Sequence, residues 1–214
     1  MLSLSWLKPT NPLAQKLTNK KAPPTLEGLF TFTMKKILTM FISRIVFAFS
    51  MLINYSCHSQ KPNTEALVNN PKFNQKISSM LNFDVPIMGV HELSTKQSNY
   101  VILDARDKLE FDIAHIKGAK LIGYEHFDKS VLNKIPKDSK IVVYCSIGYR
   151  SEKIALKLKK LGYSNVFNLY GSIFEWVNQG NAVYDKNEIL SHRIHTYNKE
   201  WSKWVDNCKC EKVW

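Results

Sequence analysis

Two kinds of apolar period organise residues 86–185. Tyr100–Asp104, Lys140–Tyr144 and Asn165–Leu169 are short runs rich in β-branched and aromatic residues. Each has the length and composition of a buried strand, and Lys120–Ile122 is a weaker example. Between the last two strong runs, Ile154, Ala155, Leu158 and Leu161 recur at i, i+1, i+4 and i+7, one face of a helix. Ser151 is placed as the N-cap of that helix and Gly162 as its terminator. Gly171–Val177 predicts a further short helix. Strands alternating with helices at this spacing predict an α/β domain, with a central, mostly parallel sheet flanked by helices.

The flanking segments have different patterns. Residues 58–85 form a polar stretch expected to be a linker, ending in a short helical pattern around Ile77, Met80 and Leu81. Residues 186–214 form a Trp-rich tail in which Tyr197, Trp201 and Trp204 lie at helical spacing, a face expected to pack on the domain. Residues 1–33 contain four Pro, four Lys and no Arg, with no sustained period, and are expected to be an upstream extension or a disordered arm. The Arg-rich, amphipathic pattern of a transit peptide is missing.

From Met34 a basic segment reaches Arg44, and the apolar run Ile45–Ile53 and then Tyr55, Ser56 and Cys57 follow it. A positive start, an apolar centre and a small residue near the end describe a secretory signal over residues 34–57, with Met34 as initiator. The apolar run is shorter than the roughly 20 residues that a membrane span requires. Extending it back to Ile37 would place Arg44 within the bilayer. Cys57 stands at the cleavage position before the polar stretch from His58 to Asn63, an arrangement that resembles a bacterial lipoprotein signal in which Cys57 is lipidated. That reading expects an exported protein held on the membrane of a bacterial envelope, facing the periplasm, with soluble export or an uncleaved anchor as alternatives. Asn54, three residues before Cys57, departs from the apolar residue usual there.

Composition sharpens this division. The 214 residues carry a formal net charge of +12, which invites a nucleic-acid reading. Residues 1–56, however, hold seven Lys or Arg against one Glu, so half of the excess belongs to the leader, and no nucleic-acid partner is expected. Apolar residues make up 44% of the chain, enough for a packed core, and four Cys are too few for a disulfide scaffold.

The chemistry gathers at the carboxyl end of the strand Lys140–Tyr144, in the loop Cys145, Ser146, Ile147, Gly148, Tyr149 and Arg150, with Ser151 following. Parallel α/β sheets place ligands at this end of their strands. A tight loop opening a helix turns several N–H groups into one concavity, and those donors with the helix dipole favour a thiolate. Arg150 offers a planar cationic fork for an oxyanion, and Gly148 a backbone conformation denied to other residues. The context also allows Cys145 to be a small buried hydrophobe.

The surrounding residues resemble the rhodanese family of sulfurtransferases over about residues 86–180. Asp104-Ala105-Arg106, Glu110-Phe111 and His115 to Ala119 are similar to the upstream signature, Cys145 to Ser151 to the active-site loop, and Gly162 to Trp176 to the downstream signature. Ala114 and Lys117 stand where the family commonly has Gly and Pro, and Ser172 where it has a second Gly. Ser146 replaces the basic residue of some thiosulfate-using members. The resemblance implies a rhodanese-like fold and a double displacement through a Cys145 persulfide. Residues 146–150 would bind an anionic sulfur donor, thiosulfate or a persulfide, while Asp104, Arg106 and Ser151 support the site. Acceptors would be cyanide, a thiol or a thioredoxin-like reductant, with no cofactor and no metal. A non-enzymatic sulfur carrier is the alternative, and the loop is one residue shorter than in the related phosphatases.

His192, His195, Cys208 and Cys210 do not match zinc spacings, so no metal site is assigned to them. Cys208 and Cys210 are expected to be unpaired, with a small disulfide or a sulfur relay as alternatives.

Overall fold

Strand Ile141–Tyr144 shows how the core is divided. Its residues are all buried, and alternate side chains leave opposite faces of the sheet. Val142 and Tyr144 join one hydrophobic cluster, while Ile141, Val143 and the next residue in the same phase, Cys145, join the other. A strand covered on both faces reads as a continuous apolar run because neither face meets water.

The computed structural model describes residues 34–44, 61–205 and 210–214. Residues 34–44 are helical and exposed. The remainder of the expected signal, including Cys57, lies outside the described residues, as do residues 1–33. No helix among the described residues is long and apolar enough to cross a membrane.

Residues 61–214 make one compact unit, separate from the segment before them. Its main elements run α1 (Pro71–Met80), β1 (Ile87–Met88), α2 (Val90–Thr95), β2 (Val101–Asp104), α3 (Lys108–Ile113), β3 (Lys120–Leu121) and β4 (Ile141–Tyr144). They continue with α4 (Tyr149–Lys160), β5 (Val166–Leu169), α5 (Ser172–Asn178), β6 (Arg193–His195) and β7 (Glu211–Val213). The central sheet has the order β1-β5-β4-β2-β3, and every pairing in it is parallel. Helices α1, α2 and α5 contribute to the cluster on one face, and α4 to that on the other. This is the expected α/β architecture, and β4 lies at its centre.

The segment expected as a linker is built into the core from α1 onward. Asn70 caps α1 by accepting from the Lys72 and Phe73 N–H groups, and Pro71 follows as the first helical residue. Phe73 and Ile77 are fully buried. Few apolar residues do this work, which is why the polar composition obscured it. The irregular stretch after α1 is tied down by Glu152, a buried carboxylate of α4. One oxygen accepts from the Phe83 N–H at 2.6 Å and the Asp84 N–H at 3.3 Å, and the other from the Asn82 N–H at 3.2 Å.

Helix α4 begins three residues before the expected start. Its N-cap is Gly148, not Ser151, because the turn out of β4 needs a φ of 119° that only glycine adopts readily. Space is not the constraint, since a Cβ at Gly148 would meet its nearest neighbours at 3.6 Å. Ser151 therefore sits inside the first turn. Gly162, with a φ of 90°, follows the other end as expected.

The tail also differs from expectation. Trp201 and Trp204 pack on the core from a 3-10 turn, with Trp204 stacked on Phe73 at 5.4 Å between ring centroids. Tyr197 does not share that face. Its φ of 67° turns it away, and its side chain remains largely exposed. Strand β7 returns to pair in parallel with β6.

Replacing Glu152 with Ala leaves three backbone donors without their partner in a part-buried site. The substitution is expected to destabilise the fold by about 2–4 kcal/mol, measured as a lower urea midpoint with little change in slope.

Candidate active site

Strand β4 delivers Cys145 to the rim of the sheet, and the left-handed Gly148 then redirects the chain into α4. The short turn brings the helix start back over the sulfur. The Gly148 N–H donates to Cys145 Sγ at 3.2 Å, and the Ser151 hydroxyl lies 3.5 Å from it. Cys145 is only 1% exposed, yet it lines a pocket of about 380 Å³ together with Ser146, Ile147, Tyr149 and Arg150.

Burial by itself pushes the Cys145 thiol up. The Arg150 charge, the Ser151 hydroxyl and the Ser151 and Gly148 backbone N–H groups together outweigh that penalty, and the net shift is downward. First-turn amides of a helix have no intrahelical acceptor, so the start of α4 is a natural seat for negative charge.

Arg150 is not a free fork. Its Nη1 donates to Glu110 Oε2 at 2.7 Å, and its Nη2 donates to Glu110 Oε1 at 2.9 Å and to Ser146 Oγ at 3.0 Å. Ser146 Oγ in turn lies 3.3 Å from Glu110 Oε1. Burial raises the Glu110 carboxyl, but the Arg150 hydrogen bond and charge, with help from Arg106, hold it below the usual carboxylate range. Glu110 is itself fixed by the capping box it forms with Asp107 at the start of α3. The fork expected to receive an oxyanion is thus engaged in a bidentate pair.

Asp104 and Arg106 stand one step back from the sulfur. Arg106 Nη2 donates to Asp104 Oδ2 at 2.7 Å and to the Ala114 carbonyl at 2.6 Å, and Nε reaches both carboxylate oxygens. Both side chains are fully buried. Burial lowers the Arg106 guanidinium, but Asp104 and then Tyr144 more than reverse that effect. The guanidinium also lies 5.6 Å from the Tyr144 ring centroid, and the Tyr144 hydroxyl accepts from the Ile116 N–H at 3.1 Å. This set links the end of β2 to the loop before β3 and lines no part of the Cys145 pocket.

A second layer comes from the end of β5. The Ser151 hydroxyl donates to Asn168 Oδ1 at 2.7 Å, while Asn168 Nδ2 donates to the Gly148 carbonyl at 3.0 Å. Ser172 accepts from the Cys145 backbone N–H at 3.1 Å and donates to the Leu169 carbonyl at 2.9 Å. Its φ is 51°, so this position keeps a left-handed backbone while adding a hydroxyl that a glycine lacks.

The structure therefore brings Cys145, Ser146, Ile147, Tyr149 and Arg150 to one pocket, with Gly148 and Ser151 at the sulfur and Asp104 and Arg106 behind. Cys57 lies outside the described residues. Residues not assigned from the sequence also contribute. Glu110 was visible as the acidic residue three positions after Asp107, Asn168 had no local signal, and Ser172 appeared only as a departure from a double glycine. Tyr197 and Trp201 reach the pocket from the tail, far along the chain. Among the described residues, no three His, Cys, Asp or Glu side chains gather to hold a metal. Cys210, expected to be unpaired, is disulfide-bonded, and its partner lies outside the described residues.

Residues 90–179 match the family model of the rhodanese-like domain, and this segment of the chain is a rhodanese-like domain. Over 84 residues the chain is 39% identical to a probable adenylyltransferase/sulfurtransferase, MoeZ, of Mycobacterium tuberculosis, covering 36% of this chain and 20% of that protein. It is 33% identical over 93 residues to the tRNA uridine(34) hydroxylase of Bdellovibrio bacteriovorus, covering 42% of this chain and 27% of that one. The chain thus spans about a fifth to a quarter of these curated relatives. A rhodanese-like domain protein of Staphylococcus aureus has a solved structure similar to it at 26% identity and a TM-score of 0.42, covering 48% of this chain and 99% of that one.

Two outcomes follow from this geometry. The rate of Cys145 alkylation is expected to rise through a midpoint below the ordinary thiol pKa, and Arg150→Met to move that midpoint upward. Because the folded pKa is the lower one, the thiolate favours folding fully above the ordinary thiol value, and this benefit fades as pH falls through the shifted one. Ser172→Ala leaves the buried Cys145 N–H without its acceptor and is expected to destabilise the fold by about 1–2 kcal/mol in thermal unfolding.

Proposed function

We propose that the chain is a sulfurtransferase that carries a sulfane sulfur as a persulfide on Cys145. The observation that carries this reading is a buried sulfur that faces a pocket at the start of a 12-residue helix, 3.2 Å from the Gly148 amide, with its thiol shifted toward thiolate. A sulfurtransferase-bearing relative and the rhodanese-like domain itself support it.

In the first half-reaction the Cys145 thiolate attacks the sulfane sulfur of the donor. A new S–S bond forms on Cys145 as the donor's own S–S bond breaks, and the reduced donor leaves with the electron pair. With thiosulfate the leaving group is sulfite. In the second half-reaction an acceptor thiolate or cyanide attacks the outer sulfur, and the Cys145 thiolate is the leaving group. The Gly148 and Ser151 N–H groups stabilise the sulfur anion in both directions. Arg150 acts on that charge while locked to Glu110, and Ser151 and Asn168 keep the turn in place.

The leader extends the proposal to place. The basic-to-apolar run after Met34 and the position of Cys57 support export and lipid anchoring in a bacterial envelope, where a thioredoxin-like protein would serve as reductant. A carrier that loads Cys145 without efficient turnover is the second reading, favoured by the engagement of Arg150 with Glu110.

Intact-protein mass spectrometry after mixing with a sulfane donor is expected to show one added sulfur, lost on adding a thiol. Cys145→Ser should abolish that adduct and lower turnover by at least about a thousandfold. An unmodified wild-type Cys145 across inorganic and organic donors would exclude both readings, while loading without turnover would select the carrier.

A further inference from the structure

The pocket above Cys145 has a wall that the rhodanese-like domain does not supply. Tyr197 and Trp201, both beyond residue 179, line it opposite the catalytic loop, and Met80 lines it from α1. The wall is held in position. Trp201 is half-buried against the core, and Tyr197 places its ring centroid 5.5 Å from the Arg150 guanidinium carbon. The Tyr197 backbone is fixed in its left-handed turn by donating to His195 Nδ1 at 3.1 Å, while the Asn198 N–H donates to the Thr196 carbonyl at 2.8 Å. A left-handed tyrosine is uncommon enough to need its surroundings to hold it.

The charge around the same pocket is the second observation. Among the described residues, Arg150 is the one Lys or Arg in its lining, and it is paired with Glu110. Asp107 and Glu125 also line it, so the carboxylates exceed the cations. A small dianion such as thiosulfate would meet a neutralised fork, two further carboxylates and a wall with no charge to offer. A carbon skeleton would find Met80, Tyr197 and Trp201, and an ammonium group would find aromatic faces and carboxylates.

We infer that the C-terminal segment makes this a site for an organic hydropersulfide whose carbon portion is uncharged or cationic, with Tyr197 and Trp201 as the residues that select it. The inference rests on the Cys145 persulfide reading. The donor R–S–SH places R along the aromatic wall and its terminal sulfur at Cys145. The thiolate attacks that terminal sulfur, the donor's S–S bond breaks, and R–S⁻ departs with the electron pair. Cys145 then carries –S–SH, whose proton passes to solvent to leave the persulfide anion under the α4 amides. No external oxidant or reductant enters this exchange.

The test uses the full chain and three donors: cysteamine hydropersulfide, 3-mercaptopropionate hydropersulfide and thiosulfate. Rate constants for Cys145 persulfide formation are read by quenched-flow mass spectrometry. Ratios between donors are compared across variants, so intrinsic reactivity cancels. Tyr197→Ala is expected to lower the rate for the two organic donors relative to thiosulfate by about fivefold. Glu125→Gln, at an exposed position, is expected to shift the cysteamine-to-mercaptopropionate ratio toward the anionic donor by about threefold. Tyr197→Phe keeps the ring and is expected to retain the wild-type ratios, and thermal unfolding confirms that each variant is folded. Ratios that move less than twofold in Tyr197→Ala would overturn the inference and leave the sulfurtransferase reading intact. Absence of persulfide with all three donors on wild type would instead remove the reading on which it rests.

Discussion

The site depends on how the chain leaves β4. A strand that ends buried must turn sharply to begin a helix over its own last residue, and Gly148 makes that turn in the left-handed region. The reversal places the sulfur of Cys145 under the first amides of α4 and brings Arg150 within reach of Glu110 on α3. The supporting polar groups then hold this one turn in place. Asn168 accepts from Ser151 and donates to the Gly148 carbonyl, and Ser172 holds the Cys145 backbone from the end of β5. All of these elements meet at the same end of a parallel sheet, which is where such a sheet offers open strand ends to a ligand.

Two buried ion pairs divide the electrostatic work. Asp104 and Arg106 neutralise each other away from the pocket, so their value is in fixing the loop ends, not in meeting a ligand. Glu110 and Arg150 sit beside the sulfur, and there the balance matters more. An unpaired guanidinium would draw any anion toward Cys145. Paired, it still favours the thiolate at short range but presents little net charge to the pocket. The basic charge of the chain therefore gives a poor picture of the site, since among the described residues the lining of the pocket is acidic on balance.

Much of this was legible in the sequence. Strand runs closed by turn residues marked β2, β4 and β5, and the periodic face of 154–161 marked most of α4. The loop from Cys145 to Arg150 declared itself by its place between them. The start of α4 was misread because Ser151 has the chemistry of a cap, whereas the geometry of the turn required Gly148. Helix α1 showed only as a short pattern around Ile77, Met80 and Leu81, and its start was obscured by polar composition because two deeply buried residues anchor it. Short elements such as β1 and α2 carried too few residues to show a period. The partners of the site were harder still. Asn168 and Ser172 act through hydrogen bonds that depend on how β5 ends beside β4, and Glu110 engages Arg150 across 40 positions.

Tyr197 and Trp201 meet the Cys145 loop from a stretch of chain that contributes nothing to the central sheet. Floor and wall of the pocket are thus encoded separately. The loop is constrained by the hydrogen bonds that hold its turn around the sulfur. The tail is held instead by its footing on Phe73, by Ile194 and Val205 in the core, and by its pairing between β6 and β7. Substitutions there can reshape the entrance while leaving the turn at Cys145 untouched, so one sulfur can be offered to different molecules by changing the segment beside it.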